Sequence, residues 1–227
     1  MERCKRRVLA MATDASGAYE AALSGLVVMI VDVIDMSTTV EAVLQAGASV
    51  ALGASPSFLR APVPVDPEAV GKYAARKAKE LKTEVVVIAE PRVASEAERF
   101  ERAAAVLRGM RSEGIEPVAV CPNLGAETVK LVDFGGKVVV AVTDCGGTAF
   151  DAAFNAGASV LTGTVARTVG KTGWENAESA VARALEVAEK EGRGLCIVAA
   201  SSKSPEDVLA AQYLVQLALA KGFMRLI

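Results

Sequence analysis

The chain has 227 residues, 52% hydrophobic and 23% charged, with a formal net charge of −2. That is enough apolar material for one sizeable globular domain, and the near-neutral balance gives no reason to expect nucleic acid or an anionic membrane surface. The chain contains no histidine, which excludes Ser-His-Asp and Cys-His catalysis, His-ligated zinc and His phosphotransfer.

The longest apolar stretch, Leu26 to Ile34, is interrupted by Asp32 and falls far short of bilayer-spanning length. Cys4, Cys121, Cys145 and Cys196 are scattered without a Cys-x-x-Cys pair, a spacing that favours reduced thiols over a disulfide frame or a zinc site. Met1 to Arg7 is basic, but the apolar run behind it is too short for a secretory signal and stops at Asp14. A cytoplasmic location is the expectation.

In chain order, short β-branched runs alternate with longer amphipathic ones. Strands are predicted at Arg7–Ala12, Leu26–Val33, Ser49–Leu52, Glu84–Ala89, Pro117–Cys121, Lys137–Val142, Ser159–Thr162 and Leu195–Ala200. Helices are predicted at Thr38–Ala46, Pro67–Leu81, Ser95–Ser112, Gly147–Ala156, Glu175–Glu191 and Pro205–Lys221. Asp66-Pro67-Glu68 and Ser204-Pro205-Glu206-Asp207 each place a capping oxygen, a proline and then first-turn acid. Near-continuous apolar strands predict burial on both faces, hence an α/β domain over residues 1–227 with a mixed or mostly parallel sheet flanked by helices.

Residues 34 to 53 align without a gap on residues 144 to 163, at an offset of 110. Thr38/Thr148, Ala42/Ala152, Ala46/Ala156, Gly47/Gly157, Ala48/Ala158, Ser49/Ser159, Val50/Val160 and Gly53/Gly163 are identical pairs. Chance would supply roughly one or two in a chain of this composition. An internal repeat of strand, turn, helix and strand is therefore expected, over about 26–53 and 136–163, with related turns facing one cleft.

Ligands in α/β folds sit beyond the carboxyl ends of strands, where helix N-termini present free N–H groups. The first such turn runs from Asp32 through Asp35 to Ser37, Thr38 and Thr39; a carboxylate beside hydroxyls suits Mg²⁺ and a phosphate. The haloacid-dehalogenase signature Asp-x-Asp-x-Thr fails, because Ile34 stands two residues after Asp32. The matching turn is Asp144-Cys145-Gly146-Gly147-Thr148, whose glycines allow close backbone approach. Glu90-Pro91-Arg92 follows a third strand and offers an acid and a guanidinium. Val165 to Thr172 lacks the first glycine of a P-loop, but leaves Arg167 and Lys171 as binders of an acidic substrate.

Taken in order, these turns resemble the phosphosulfolactate phosphatase family of coenzyme M biosynthesis, whose strand ending D-V-L-R-A-T-T-T corresponds to Asp32-Val33 and Ser37-Thr38-Thr39. Glu90 with Arg92 loosely matches its G-E-R-G-G turn, Pro122 to Gly125 lies near its G-N-S-P segment, Gly147-Thr148 matches the end of T-T-N-G-T, and Glu206-Asp207 its C-terminal E-D motif. The resemblance implies a phosphosulfolactate-phosphatase-like fold and a Mg²⁺-dependent phosphoric monoester hydrolase acting on a small phosphorylated hydroxy acid. Asp32 and Asp144 would hold the metal, with Glu90 as further ligand or base. Ser37, Thr38, Thr39, Gly147 and Thr148 would cradle the phosphoryl group, and Arg92, Arg167 or Lys171 would neutralise its charge. Asp35 and Cys145 depart from the family pattern, which keeps open a non-catalytic metabolite-binding protein using the same cleft. The apolar helix Val208–Leu219 is the expected contact face of a homo-oligomer.

Overall fold

Eight strands form two wholly parallel four-stranded sheets in the computed structural model, which describes residues 8–224. The strands are β1 Leu9–Thr13, β2 Val27–Val31, β3 Val50–Ala54, β4 Val85–Ala89, β5 Ala119–Pro122, β6 Val138–Val142, β7 Val160–Thr162 and β8 Leu195–Ala199. The first sheet has the order β1-β8-β2-β7 and the second β3-β6-β4-β5. The helices are α1 Asp14–Leu23, α2 Met36–Gln45, α3 Pro67–Leu81, α4 Glu96–Arg102, α5 Ala104–Ser112, α6 Gly146–Asn155, α7 Gly173–Glu191 and α8 Pro205–Ala220, with a 3-10 turn at Gly125–Lys130. The chain is thus α/β, with two sheets where one was expected. Among the described residues, no helix is long and apolar enough to cross a membrane.

Strand residues alternate between a central core and one of two outer cores, as the two-residue period of a strand requires. Val28 and Ile30 of β2 and Val138, Val140 and Val142 of β6 share a central core with α1, α3, α5 and α6. Val27, Met29 and Val31 turn the other way, onto α7 and α8. Val86, Ile88 and Val139 pack outward with Val43 of α2 and Phe134.

The two connections α2 and α6 run between the sheets: β2 belongs to the first sheet and β3 to the second, β6 to the second and β7 to the first. Met36 to Val43 and Gly146 to Ala153 are buried without exception, so these helices are enclosed by protein on all sides, and their polar members, Glu41 and Asp151 among them, are held by Arg183 and by Ser55 and Asn155. Val28 pairs with Val160 and Val138 with Val50; an offset of 110 carries one pairing onto the other.

Two helical segments depart from expectation. The predicted helix Ser95–Ser112 is divided at Ala103, because the Ser57 N–H takes the carbonyl of Arg102 at 2.7 Å and the Ser57 Oγ takes the N–H of Ala105 at 2.8 Å. A side chain inserted into the ladder breaks it. Helix α1 went unpredicted because its buried face consists of Ala15, Ala18, Ala21 and Ala22, which give little hydrophobic contrast. Arg7 and Cys4 lie outside the described residues; Cys121, Cys145 and Cys196 are free thiols.

Candidate functional site

The carboxyl ends of β2, β4 and β6 and the N-terminus of α8 meet around Asp32. Asp32 closes the buried strand β2 and is only 4% exposed. Its Oδ2 accepts the N–H of Gly146, the first residue of α6, at 2.9 Å, so the carboxylate occupies the positive end of that helix. A Cβ on Gly146 would lie 2.2 Å from this oxygen; glycine is what lets the acid approach. Burial pushes the Asp32 carboxyl up to about 7, and Asp207, Glu90 and Asp35 add to the rise.

Four further acids frame it. Glu90, half-buried after β4, accepts the backbone N–H of Asp144 at 3.1 Å through Oε2, while Asn123 Nδ2 lies 3.5 Å from its Oε1. Burial raises the Glu90 carboxyl, and the Asp144 N–H opposes that rise. Asp207, in the first turn of α8, accepts the Val33 N–H at 2.8 Å and so fastens the C-terminal helix to the turn after β2; its carboxyl too is raised by burial. Asp35 stands at the N-terminus of α2 without a side-chain capping bond, half-buried and ion-paired with Arg92. Asp144, which is exposed, pairs with Arg102. The Cys145 thiol beside them is pushed up by burial first and by Asp32, Asp144, Asp207 and Glu90 after it.

The hydroxyls of the first turn are engaged within the fold. Ser37 Oγ accepts the Asp32 N–H at 2.9 Å and donates to the Ile30 carbonyl at 3.0 Å. Thr38 Oγ1 donates to the Val33 carbonyl at 2.7 Å and bonds Thr164 Oγ1 at 2.9 Å. Thr39 Oγ1 donates to Asn123 Oδ1, linking α2 to the residue that borders Glu90. The Gly147 N–H donates to Thr143 Oγ1 at 2.7 Å. Thr148 differs: its buried Oγ1 has no hydrogen-bond partner.

Asp32, Glu90, Asp144 and, through Asp35, Arg92 are thus gathered in one cluster, whereas Lys171 and Arg167 are not. The loop after β7 runs along α2, from Thr164 against Thr38 to Thr168 against Gln45 (2.6 Å). It leaves Arg167 exposed and Lys171 bonded to Ser179 Oγ at 2.9 Å. There Lys171 lines a separate cavity of about 560 Å³ with Glu41, Gln45 and Arg183. Asp207, Asn123 and Arg102 were not anticipated as site residues. Asp207 gave a signal as a first-turn acid and part of the E-D motif, and Asn123 by lying in the Pro122–Gly125 segment, whereas Arg102 gave none.

Among the described residues, no three carboxylates or thiols converge closely enough to hold a metal ion by themselves. Magnesium usually keeps several waters and takes one or two carboxylates plus a substrate phosphate, and the cluster fits an ion in that mode alone. The fitting observation is a buried acid with one oxygen fixed by Gly146 and other carboxylates close enough to raise its pKa. No family model matches the chain, and neither does any curated protein.

Proposed function

We propose that the chain is an internally duplicated, phosphosulfolactate-phosphatase-like hydrolase that releases phosphate from a small phosphorylated hydroxy acid at the Asp32 cleft. The observation that carries this reading is a buried carboxyl titrating near 7 at the junction of two strand-to-helix turns. A carboxyl so tuned can both give and accept a proton at neutral pH. The duplication is supported by the shared pairing register of β2 with β7 and of β6 with β3, and by the order of motifs given above.

In this reading protonated Asp32 donates to the leaving alkoxide oxygen as the ester P–O bond breaks. Glu90, held by the Asp144 N–H, takes a proton from the attacking water, whose oxygen forms the new P–O bond. Alcohol and inorganic phosphate leave, and the proton on Glu90 returns through solvent to Asp32. Arg92 would bind the phosphoryl oxygens. Asp144 would hold Mg²⁺, leaving Asp32 its proton and Glu90 its base role, and the ion would supply Lewis-acid stabilisation of charge on those oxygens.

The test is phosphate release from a panel of small phosphorylated hydroxy acids, with and without Mg²⁺, by the wild type and Asp32→Asn. Turnover that needs the metal and is lost in the variant supports the reading. Saturable binding without release in any combination favours the non-catalytic metabolite-binding alternative.

A homo-oligomer is the accompanying proposal. Helix α8 carries no charged residue from Val208 to Ala220, yet leaves Leu209 62% and Tyr213 36% exposed, with Trp174 of α7 packed beside the tyrosine. Uncharged aromatic faces of this kind are typical of subunit contacts. Sizing chromatography of wild type and Leu209→Glu checks it.

A further inference from the structure

The cleft holds more acid than base, which poses a problem for any anionic ligand. Asp32, Asp35, Glu90, Asp144 and Asp207 surround it, against Arg92 and Arg102. Both guanidiniums are already taken. Arg92 pairs with Asp35 in the turn after β2, and Arg102 pairs with Asp144 in the turn after β6. The two arginines come from one stretch, the connection after β4 and the end of α4, so a single segment is tied across both turns.

We propose that Arg92 and Arg102 are the anion subsite of this cleft, and that Asp35 and Asp144 occupy it in the free protein as internal surrogates for the ligand. This rests on the reading that the cleft receives a small anionic molecule. An anion then binds by exchange: it takes the guanidiniums, and the two carboxylates swing out to solvent or to a cation.

Three features support exchange over simple addition. The pairs are accessible, with side-chain exposures of 51% and 19% for Arg92 and Asp35 and of 31% and 54% for Arg102 and Asp144. Ion pairs of that exposure are weak enough for a ligand to displace. A guanidinium presents five donors in a planar fork that fits carboxylate and phosphate alike, so one group can replace the other without rebuilding the site. Finally, the Nε–H of Arg102 is buried without a hydrogen-bond partner. Buried donors are ordinarily satisfied, and a phosphate, with an oxygen to spare beyond the two a carboxylate offers, would satisfy this one. The consequence is selectivity. A monoanion merely equals the carboxylate it must displace, whereas a dianion exceeds it, so the surrogates set a threshold that favours phosphate-like groups over chloride or acetate.

The experiment is calorimetric titration with inorganic phosphate at pH 8, at low ionic strength and without metal, on wild type, Asp35→Asn, Asp144→Asn, Arg92→Gln, Arg102→Gln and the double variant Asp35→Asn/Arg92→Gln. Circular dichroism verifies that each is folded; all the altered side chains are at least partly exposed. Exchange predicts that each Asp→Asn tightens phosphate binding by about threefold or more, the worth of an exposed ion pair. Each Arg→Gln should weaken it comparably, and the gain from Asp35→Asn should vanish once Arg92 is gone. A gain that persists in the double variant would overturn the proposal in favour of a general field effect, as would phosphate affinities untouched by all five variants. Neither turnover nor metal enters this measurement, so a failed phosphatase assay and a failed exchange are separable.

Discussion

Asp32 and Gly146 stand 114 positions apart in the chain, yet the Gly146 N–H donates to Asp32 Oδ2 at 2.9 Å. That bond joins the end of a strand in one sheet to the helix that leaves a strand of the other, and it sets the chemistry of the cleft. One oxygen of a buried acid is pinned at a helix N-terminus, while burial, and the surrounding carboxylates after it, hold its proton on.

The first prediction concerns stability. In metal-free protein the folded-state pKa of Asp32 is raised to about 7 from 3.8, so the native state binds this proton more tightly than the unfolded chain. The proton's stabilising effect is complete below the unfolded value and is lost as pH rises through the folded one. Asp32→Asn cannot ionise and should be more stable than wild type at pH 8, by up to a few kcal/mol at about 1.4 kcal/mol per pKa unit. The difference should shrink towards pH 4. Chemical denaturation at the two pH values checks both magnitude and sign.

After burial, the negative charge of Asp207 does most to raise the Asp32 carboxyl. Asp207→Asn removes a negative charge while its amide oxygen can still accept the Val33 N–H. The Asp32 pKa should fall, moving the corresponding limb of the pH–rate profile to lower pH. Direct carboxyl titration by NMR gives the same answer without turnover. An unmoved titration would mean that burial alone sets the value.

The two glycines opening α6 should fail differently. A Cβ on Gly147 would sit 2.1 Å from the Ala54 carbonyl oxygen, part of a backbone that cannot retreat. Gly147→Ala should therefore destabilise the fold by about 1–3 kcal/mol, the usual cost of overpacking. At Gly146 the obstacle is the Asp32 carboxylate itself, at 2.2 Å. Gly146→Ala should displace that side chain and abolish phosphate release while lowering Tm less than Gly147→Ala does.

Cys145 is exposed, but its thiol is pushed up by burial and by four carboxylates. A thiolate is the reactive form, so iodoacetamide should modify Cys145 more slowly at pH 8 than it does a free cysteine. The rate should rise in Asp32→Asn, which deletes the charge that raises the thiol most. Mass spectrometry of the labelled peptide reports both rates.

The chain order of strands was legible in the sequence, because each β-branched run is short, apolar and bounded by turn residues. So were the caps at Asp66 and Ser204, whose side chains accept from Ala69 and Asp207 as their residue types imply. These are local matters, decided within a few residues. The acids at strand ends, Asp32 and Glu90, were also visible, since an ionisable group closing an apolar strand is out of place without a role. What the chain could not display is who meets whom. Ser37, Thr38 and Thr39 advertise hydroxyls beside a phosphate-sized turn, but the fold turns them inward onto Ile30, Val33 and Asn123. Arg102 carries no local signature and Asn123 only its place in the Pro122–Gly125 segment; they matter because α4 and the turn after β5 deliver them to Asp144 and Glu90. Sequence spacing fixes what a residue can offer through backbone periodicity and side-chain chemistry. Which offers are accepted depends on burial and on contacts between distant segments, and those exist only once the two sheets have packed.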